Sequence, residues 1–152
     1  MGDAGDHAPI RAQRILETAL YAPDLQVAER FYTSVFGLEI ITRFPPRGIA
    51  LRCGTDALLI FDAAHTRIAG GPIPHHGIDG AGHMAFLASA ESLPRWREQL
   101  ARHSVAIEAE VDWPEGGRSI YVRDPAGNSI ELAPPTIWGG LGLRSRKDSR
   151  PV

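Results

Sequence analysis

The sequence has few of the features that mark several large classes of protein. One cysteine among 152 residues allows neither an internal disulfide nor a thiolate metal cluster. Sixteen Lys and Arg against 18 Asp and Glu leave no positive excess for a phosphate backbone. Apolar runs such as 57–61 are far shorter than the roughly 20 residues of a spanning helix, and no secretory signal opens the chain. We expect a cytoplasmic protein that binds neither nucleic acid nor membrane.

The residues that are present predict two similar units in one globular domain. In the first unit, Asp24 starts a helix, an apolar stripe follows at helical spacing, and Gly37 ends it. Short aliphatic runs separated by Gly- and Pro-containing turns predict strands around this helix and again in the second half. Strands are predicted at 15–22, 38–44, 49–53, 57–61, 83–88, 105–111, 119–123 and 129–133, and helices at 25–36 and 92–103.

This order of elements predicts an α+β fold. Each unit is βαβββ, and a helix on one face of its sheet leaves the other face concave, so that the pair forms an open, cupped β-barrel with a cavity. The domain is predicted at 15–135, with units of about 15–62 and 81–134. Because the ends at 1–13 and 144–152 carry no periodic pattern, we expect them to be loosely ordered.

Three polar residues interrupt apolar strands. Glu17 and His83 lie on the first strand of each unit, and Glu131 lies on the last strand of the second. Two carboxylates and an imidazole that converge in a cavity form a ligand set for a divalent cation, whose charge the carboxylates offset. Alternatively, the two glutamates face solvent at strand edges and His83 is a core histidine with its hydrogen bonds satisfied.

Two stretches resemble a known family. They are ETALYAPDL at 17–25, continued by RFY at 30–32 and FGL at 36–38, and YVRDPAGN at 121–128, continued to Glu131. They resemble the opening strand and helix and the closing hairpin of the vicinal oxygen chelate superfamily. That superfamily includes glyoxalase I, bleomycin- and fosfomycin-resistance proteins, methylmalonyl-CoA epimerase and extradiol dioxygenases. The resemblance covers about 15–134 and implies the same three metal ligands, Glu17, His83 and Glu131.

The resemblance also implies a reaction class. A fourth ligand, found in glyoxalase I-like isomerases, would fall at Ile60, which cannot coordinate, so three protein ligands remain for Mn, Fe, Zn, Ni or Mg. We expect a glyoxalase-like lyase or isomerase in which the ion chelates vicinal oxygens of a small substrate. The alternatives are an extradiol-type dioxygenase using Fe(II) and a metal-free, ligand-sequestering protein of the bleomycin-resistance type.

Further side chains are assigned roles around this centre. Ser119 and Tyr121 lie on the cavity face by the family's pattern, and their hydroxyls can hold an oxyanion. His76, in a Gly- and Pro-rich loop beside His75, is either a general base or part of a solvated tip. The predicted catalytic residues are Glu131, Tyr121 and His76, and the predicted substrate-binding residues are Ser119, Tyr121, Arg118 and Trp113.

Assembly is implied by resemblance alone. Two-unit members of the family commonly form homodimers, and in some relatives the two units around one cavity come from different chains. Glu17 therefore meets His83 and Glu131 either within one chain or across a dimer interface. The identity of the small-molecule substrate is not encoded in any motif of the sequence.

Overall fold

The computed structural model of the chain describes residues 10–140. The strands are β1 (Glu17–Tyr21), β2 (Glu39–Phe44), β3 (Gly48–Cys53), β4 (Asp56–Phe61), β5 (His83–Leu87), β6 (Ile107–Asp112), β7 (Arg118–Arg123) and β8 (Ser129–Ala133), and the helices are α1 (Leu25–Val35), α2 (Ala63–Thr66) and α3 (Leu93–Arg102). Single 3-10 turns lie at Ala90–Ser92 and Pro135–Trp138. The ends predicted to be loose lie outside the described residues, apart from 10–13, which form no helix or strand.

Helix α1 forms where the sequence predicts it. The Asp24 carboxylate accepts hydrogen bonds from the backbone N–H groups of Gln26 and Val27, both at 3.0 Å, which satisfies two donors that a helix start leaves open. Gly37, with φ +67°, takes the left-handed conformation that ends the helix at little steric cost. Within the described residues, no helix combines the length and apolar character that crossing a bilayer requires.

The strands form two four-stranded sheets of identical topology. The first, sheet A, has the order β1-β4-β3-β2, and the second, sheet B, has the order β5-β8-β7-β6. In each sheet the first strand runs parallel to the last strand of its unit, and the remaining pairs are antiparallel. This arrangement confirms the predicted α+β fold of two βαβββ units, and the sheets remain open and cupped because neither closes on itself.

Alternation along the strands gives each sheet one packed face and one open face. In sheet A, Leu20, Leu58 and Ile60 are at most 2% exposed and face the helices. In sheet B, Ile130 and Leu132 are fully buried in the same core. The residues that alternate with these along each strand therefore point to the open face of their sheet, where they can contact a ligand.

One buried polar side chain connects the two units. Asn128, 1% exposed, donates to the backbone carbonyl of Tyr21 at the end of β1 (3.0 Å) and accepts from the backbone N–H of Gly82 just before β5 (2.7 Å). It also donates to Asp124, which accepts a second hydrogen bond from the Tyr32 hydroxyl of α1, both at 2.8 Å. These hydrogen bonds fix the first strand of each unit relative to the other.

Candidate metal centre

Two of the three predicted metal ligands meet on the open face of sheet B. The Nε2 atom of His83 lies 3.4 Å from Oε2 of Glu131. Glu131 is 5% exposed on the interior strand β8, so it does not face bulk solvent. The His83 side chain is 54% exposed, so it is not a core histidine. This pair presents one imidazole nitrogen and one carboxylate oxygen toward the open face.

Neighbouring hydroxyls orient both side chains. The Ser129 hydroxyl lies 3.2 Å from Nδ1 of His83, a contact that turns the opposite ring nitrogen toward Glu131. The Tyr121 hydroxyl donates to Oε1 of Glu131 at 2.8 Å, which leaves Oε2 directed at His83. Both neighbours lie on the same sheet face as Glu131, because Ser129 is two residues from it on β8 and Tyr121 pairs with it in the register.

The Tyr121 hydroxyl remains a proton donor at neutral pH. Burial of the hydroxyl away from water has the largest effect on its pKa, and the hydrogen bond to Glu131 and the charge of that carboxylate add to it. Together they raise the pKa of Tyr121 to about 12. A neutral hydroxyl that donates to Oε1 compensates part of the cost of burying the Glu131 charge. Tyr121 therefore positions Glu131.

Glu17 lies apart from this pair. It is exposed on the open face of sheet A, at the first position of β1. Among residues 10–140, no group of three or more His, Cys, Asp or Glu side chains is close enough to hold a metal ion. One chain thus brings together His83 and Glu131 and leaves Glu17 on its other open face.

The strand register relates the two open faces position by position. Glu17 pairs with Ala57 as His83 pairs with Ser129. The position equivalent to Glu131 therefore lies two residues beyond Ala57, at Leu59. The prediction that the missing fourth ligand falls at Ile60 is wrong by one residue, and Ile60 points the other way, into the core, with 0% exposure. Leu59 is apolar, so this position cannot supply a fourth ligand either.

The predicted substrate-binding residues divide between the two faces of sheet B. Ser119, fully buried, accepts a hydrogen bond from the indole nitrogen of half-buried Trp113 at 2.8 Å, so these two contact each other. Arg118 is adjacent to Ser119 in β7 and therefore points to the opposite face, where its guanidinium pairs with Asp112 at 2.7 Å and contacts Glu110. Arg118 is therefore not part of the His83 and Glu131 cluster.

The two histidines of the loop before β5 have different environments. His75 is exposed. His76 lies on sheet A, where its Nδ1 is 2.6 Å from the hydroxyl of Tyr21. Tyr21 is a further polar residue of this face that was not predicted, although its spacing of four residues from Glu17 on β1 places both on the same side of the strand.

Comparison with known proteins identifies the family to which this geometry belongs. A profile of the Glyoxalase/Bleomycin resistance protein/Dioxygenase superfamily matches residues 14–132. The chain belongs to this superfamily. The resemblance seen in the two sequence stretches is thereby confirmed, since the profile spans both of them.

Several solved structures share the fold of this chain. A lactoylglutathione lyase from Agrobacterium tumefaciens is 40% identical, with a TM-score of 0.81 over 85% of this chain and 98% of its own. A glyoxalase/bleomycin resistance protein/dioxygenase from Nocardioides is 22% identical, with a TM-score of 0.67 over 83% of this chain and 85% of its own. The oxidase ChaP-H2 is 20% identical, with a TM-score of 0.59 over 82% of this chain and 94% of its own. The search of curated proteins found no match.

Proposed function

We propose that the protein is a metal-dependent, glyoxalase-like lyase or isomerase acting on a small molecule with two adjacent oxygens. The observation that carries this proposal is the convergence of His83 and Glu131 on an open sheet face. The 40% identity to a lactoylglutathione lyase supports the reaction class, because it extends over 98% of that chain. S-Lactoylglutathione and the isomeric hemithioacetal of methylglyoxal and glutathione are therefore the first compounds to test.

The donor set fits a divalent cation. An imidazole nitrogen and a carboxylate oxygen 3.4 Å apart are within reach of one ion with bonds of about 2.0–2.2 Å. The side chains that would hold it are His83, Glu131 and the Glu17 of a second copy of the chain. A bound divalent ion supplies Lewis acidity, which polarises two adjacent substrate oxygens and stabilises negative charge on them.

A homodimer completes the ligand set in this proposal. Glu17 lies on the open face of sheet A, and His83 lies at the equivalent position on the open face of sheet B. In the proposed dimer, the open face of sheet A in each copy therefore meets the open face of sheet B in the other. Leu87, 66% exposed on the face of His83, is an apolar residue that such pairing buries.

The chain's own residues then handle the proton. In this proposal Glu131 accepts a proton from a substrate carbon and returns it to the neighbouring one, through Oε2 when that oxygen is not bound to the ion, because Oε1 is held by Tyr121. Tyr121 holds the other oxygen, and Ser129 holds His83 in orientation. Ser119 is fully buried and its hydroxyl is bonded to Trp113, so the prediction that it contacts substrate does not fit the structure, and half-buried Trp113 alone contacts the substrate in this proposal.

Elemental analysis of protein purified without chelator tests the proposal. We expect a retained divalent ion that is lost in Glu17→Ala, His83→Ala and Glu131→Ala, with the circular dichroism spectrum unchanged. Glu98→Ala, at an exposed position of helix α3, and His75→Ala, at an exposed loop position, are controls that keep the ion.

The outcomes separate the alternatives. Turnover of the hemithioacetal that stops with chelator and returns with metal supports the proposal. Oxygen consumption with catechols and iron contradicts it in favour of ring cleavage. A native protein that binds ligand but retains no metal, and gains no activity when metal is added, contradicts it in favour of sequestration.

A further inference from the structure

A row of polar side chains leads from the turn between β6 and β7 to Glu131. Trp113 lies in this turn, and its indole nitrogen donates to the hydroxyl of Ser119 at 2.8 Å. Farther along β7, the Tyr121 hydroxyl donates to Oε1 of Glu131, also at 2.8 Å. Ser119 and Tyr121 are two residues apart on β7, so their side chains point to the same side of the strand. The four side chains form one polar row on this face of sheet B.

The two hydrogen bonds meet at the Ser119 hydroxyl, which is fully buried. An indole nitrogen can only donate, so the Ser119 oxygen accepts from Trp113 and its own proton needs a separate acceptor. The phenol oxygen of Tyr121 can accept that proton, because its own proton already points to Glu131. Burial has the largest effect on the pKa of Tyr121 and raises it, whereas hydrogen bonding with Ser119 acts in the opposite direction, as a donor to the phenol oxygen does.

The indole sets the direction of the row, because a hydroxyl can both donate and accept and an indole N–H cannot accept. Without the N–H of Trp113, the Ser119 oxygen is free to accept from Tyr121 instead. The Tyr121 proton then leaves Oε1 of Glu131, and the buried carboxylate loses the donor that holds it. With the N–H in place, every proton of the row points toward Glu131.

Sheet A has no such row, although its strands pair in the same register. By that register, the equivalents of Ser119, Tyr121 and Glu131 are Gly48, Ala50 and Leu59. None of these three side chains can form a hydrogen bond, so the fold does not require polar groups at these positions. The hydroxyls are present in the sheet that carries the buried carboxylate.

We propose that Trp113 is a positioning residue for Glu131 and acts on it through Ser119 and Tyr121. It keeps the Tyr121 proton on Oε1, so that Oε2 stays available to an ion or a substrate. The row itself is a property of the metal-free chain, and its effect on a bound ion rests on the proposed function. Side chains that hold a metal ligand from outside the coordination sphere commonly change metal affinity.

The first test follows the indole N–H resonances of metal-free protein labelled with nitrogen-15. The chain has three tryptophans, and Trp113→Phe identifies the Trp113 resonance by its loss. Glu131→Gln removes the charge at the far end of the row. We expect it to move the Trp113 indole proton upfield, because the hydrogen bond to Ser119 weakens. In a Tyr121→Phe background the row is interrupted, so Glu131→Gln then has no effect, and the Trp96 resonance of helix α3 is the internal control.

Two results of this first test overturn the proposal. The first is a Trp113 resonance that does not move in Glu131→Gln. The second is a shift of the same size in the Tyr121→Phe background, because the charge then acts on the indole through space and not through the row.

The second test measures the affinity for Zn²⁺ by competition with a fluorescent chelator. Trp113→Phe keeps an aromatic ring and removes the N–H, so we expect affinity to fall about threefold, less than the roughly tenfold loss in Tyr121→Phe, which removes the contact with the ligand itself. In Ser119→Ala the row is already cut, so adding Trp113→Phe has no further effect. Equal losses in both backgrounds indicate that the ring acts by packing alone, which overturns the proposal. Trp96→Phe is the matched control with unchanged affinity.

Failure of this inference and failure of the proposed function give different results. Protein that shows the expected indole shifts and binds no divalent ion supports the polar row and contradicts the proposed function. Protein that binds Zn²⁺ and converts the hemithioacetal, but shows no indole shift, overturns the row and leaves the proposed function standing.

Discussion

The two glutamates of the proposed centre differ in what surrounds them. Glu131 is almost fully buried, with a tyrosine hydroxyl on one oxygen and an imidazole nitrogen near the other. Glu17 is exposed, with no hydrogen bond or ion pair to any residue between 10 and 140. A buried carboxylate is costly without partners, so Glu131 is preorganised within one chain, whereas Glu17 would gain partners in the proposed dimer.

Cys53 is the residue whose reactivity follows most directly from its surroundings. Partial burial, and to a smaller extent the negative charge of Asp56, raises the pKa of its thiol. Because the thiolate is the reactive form, a raised pKa lowers the reactive fraction at neutral pH. We predict that Cys53 reacts with iodoacetamide more slowly than free glutathione at pH 7.5, and that its rate is still rising at the pH where that of glutathione levels off.

The single cysteine makes this rate simple to measure by mass spectrometry. Protein unfolded in urea is the control, since unfolding removes the desolvation and returns the thiol to its ordinary reactivity. A folded-state rate that equals or exceeds that of glutathione at pH 7.5 contradicts the raised pKa of the Cys53 thiol.

At the scale of elements, the register of β4 makes adjacent residues behave in opposite ways. Leu59 is half-buried on the open face, and Ile60 is fully buried in the core. We predict that Leu59→Glu folds with a loss of about 1 kcal/mol, whereas Ile60→Glu loses more than about 4 kcal/mol because it buries an unpaired charge. Urea denaturation of the two variants measures both values.

Metal affinity gives this pair of variants a second readout. Leu59→Glu adds a carboxylate at the position equivalent to Glu131, beside Glu17, so it tightens metal binding in the proposed centre. If Ile60→Glu folds and Leu59→Glu unfolds, the result contradicts the register of β4 against β1. The equivalence of the two sheets depends on that register.

Elements with local signals could be predicted from the sequence, and contacts between elements could not. The cap at Asp24 and the stop at Gly37 place α1 within one residue of its observed bounds. The helix α2 has only four residues and no periodicity to reveal it. Counting along β4 selected Ile60 instead of Leu59, because spacing within a strand does not fix its register against a distant neighbour.

The same limit applies to the site. His83 and Glu131 were predicted because each interrupts an apolar strand, and Tyr121 was added by the resemblance to the family; the register places all three on one face. Arg118 and Tyr121 are three residues apart on β7, so strand alternation also predicts that their side chains point to opposite faces. The contact between Tyr21 and His76 joins residues 55 positions apart through an irregular loop, and no periodic pattern predicts such a pair.

At the scale of the whole molecule, the two units are joined by a shared core and by the hydrogen bonds of Asn128. Substitution by Ala removes its hydrogen bonds to Asp124, Gly82 and Tyr21 and leaves buried groups without partners. We predict that Asn128→Ala lowers the free energy of unfolding by roughly 2–4 kcal/mol. Urea denaturation checks this value, and Gln26→Ala, at an exposed helix position, is the control with little effect.

The placement of Asn128 also predicts a link between stability and assembly. Its bonds fix β1, which carries Glu17, relative to β5, which carries His83. In a dimer with shared sites, these two strands of one chain contribute to two different metal centres. If Asn128→Ala is as stable as the wild type, the hydrogen bonds do not hold the units together as described.

In the proposed dimer, Glu17 of one copy meets His83 and Glu131 of the other. Mixed dimers of Glu17→Ala and His83→Ala chains, isolated by tandem affinity tags, test it most directly. One of their two centres then has every ligand intact, so we predict about half of the wild-type metal content, whereas each variant alone is empty. Mixed dimers as empty as the single variants, or failure of the two chains to associate, would contradict the shared centre.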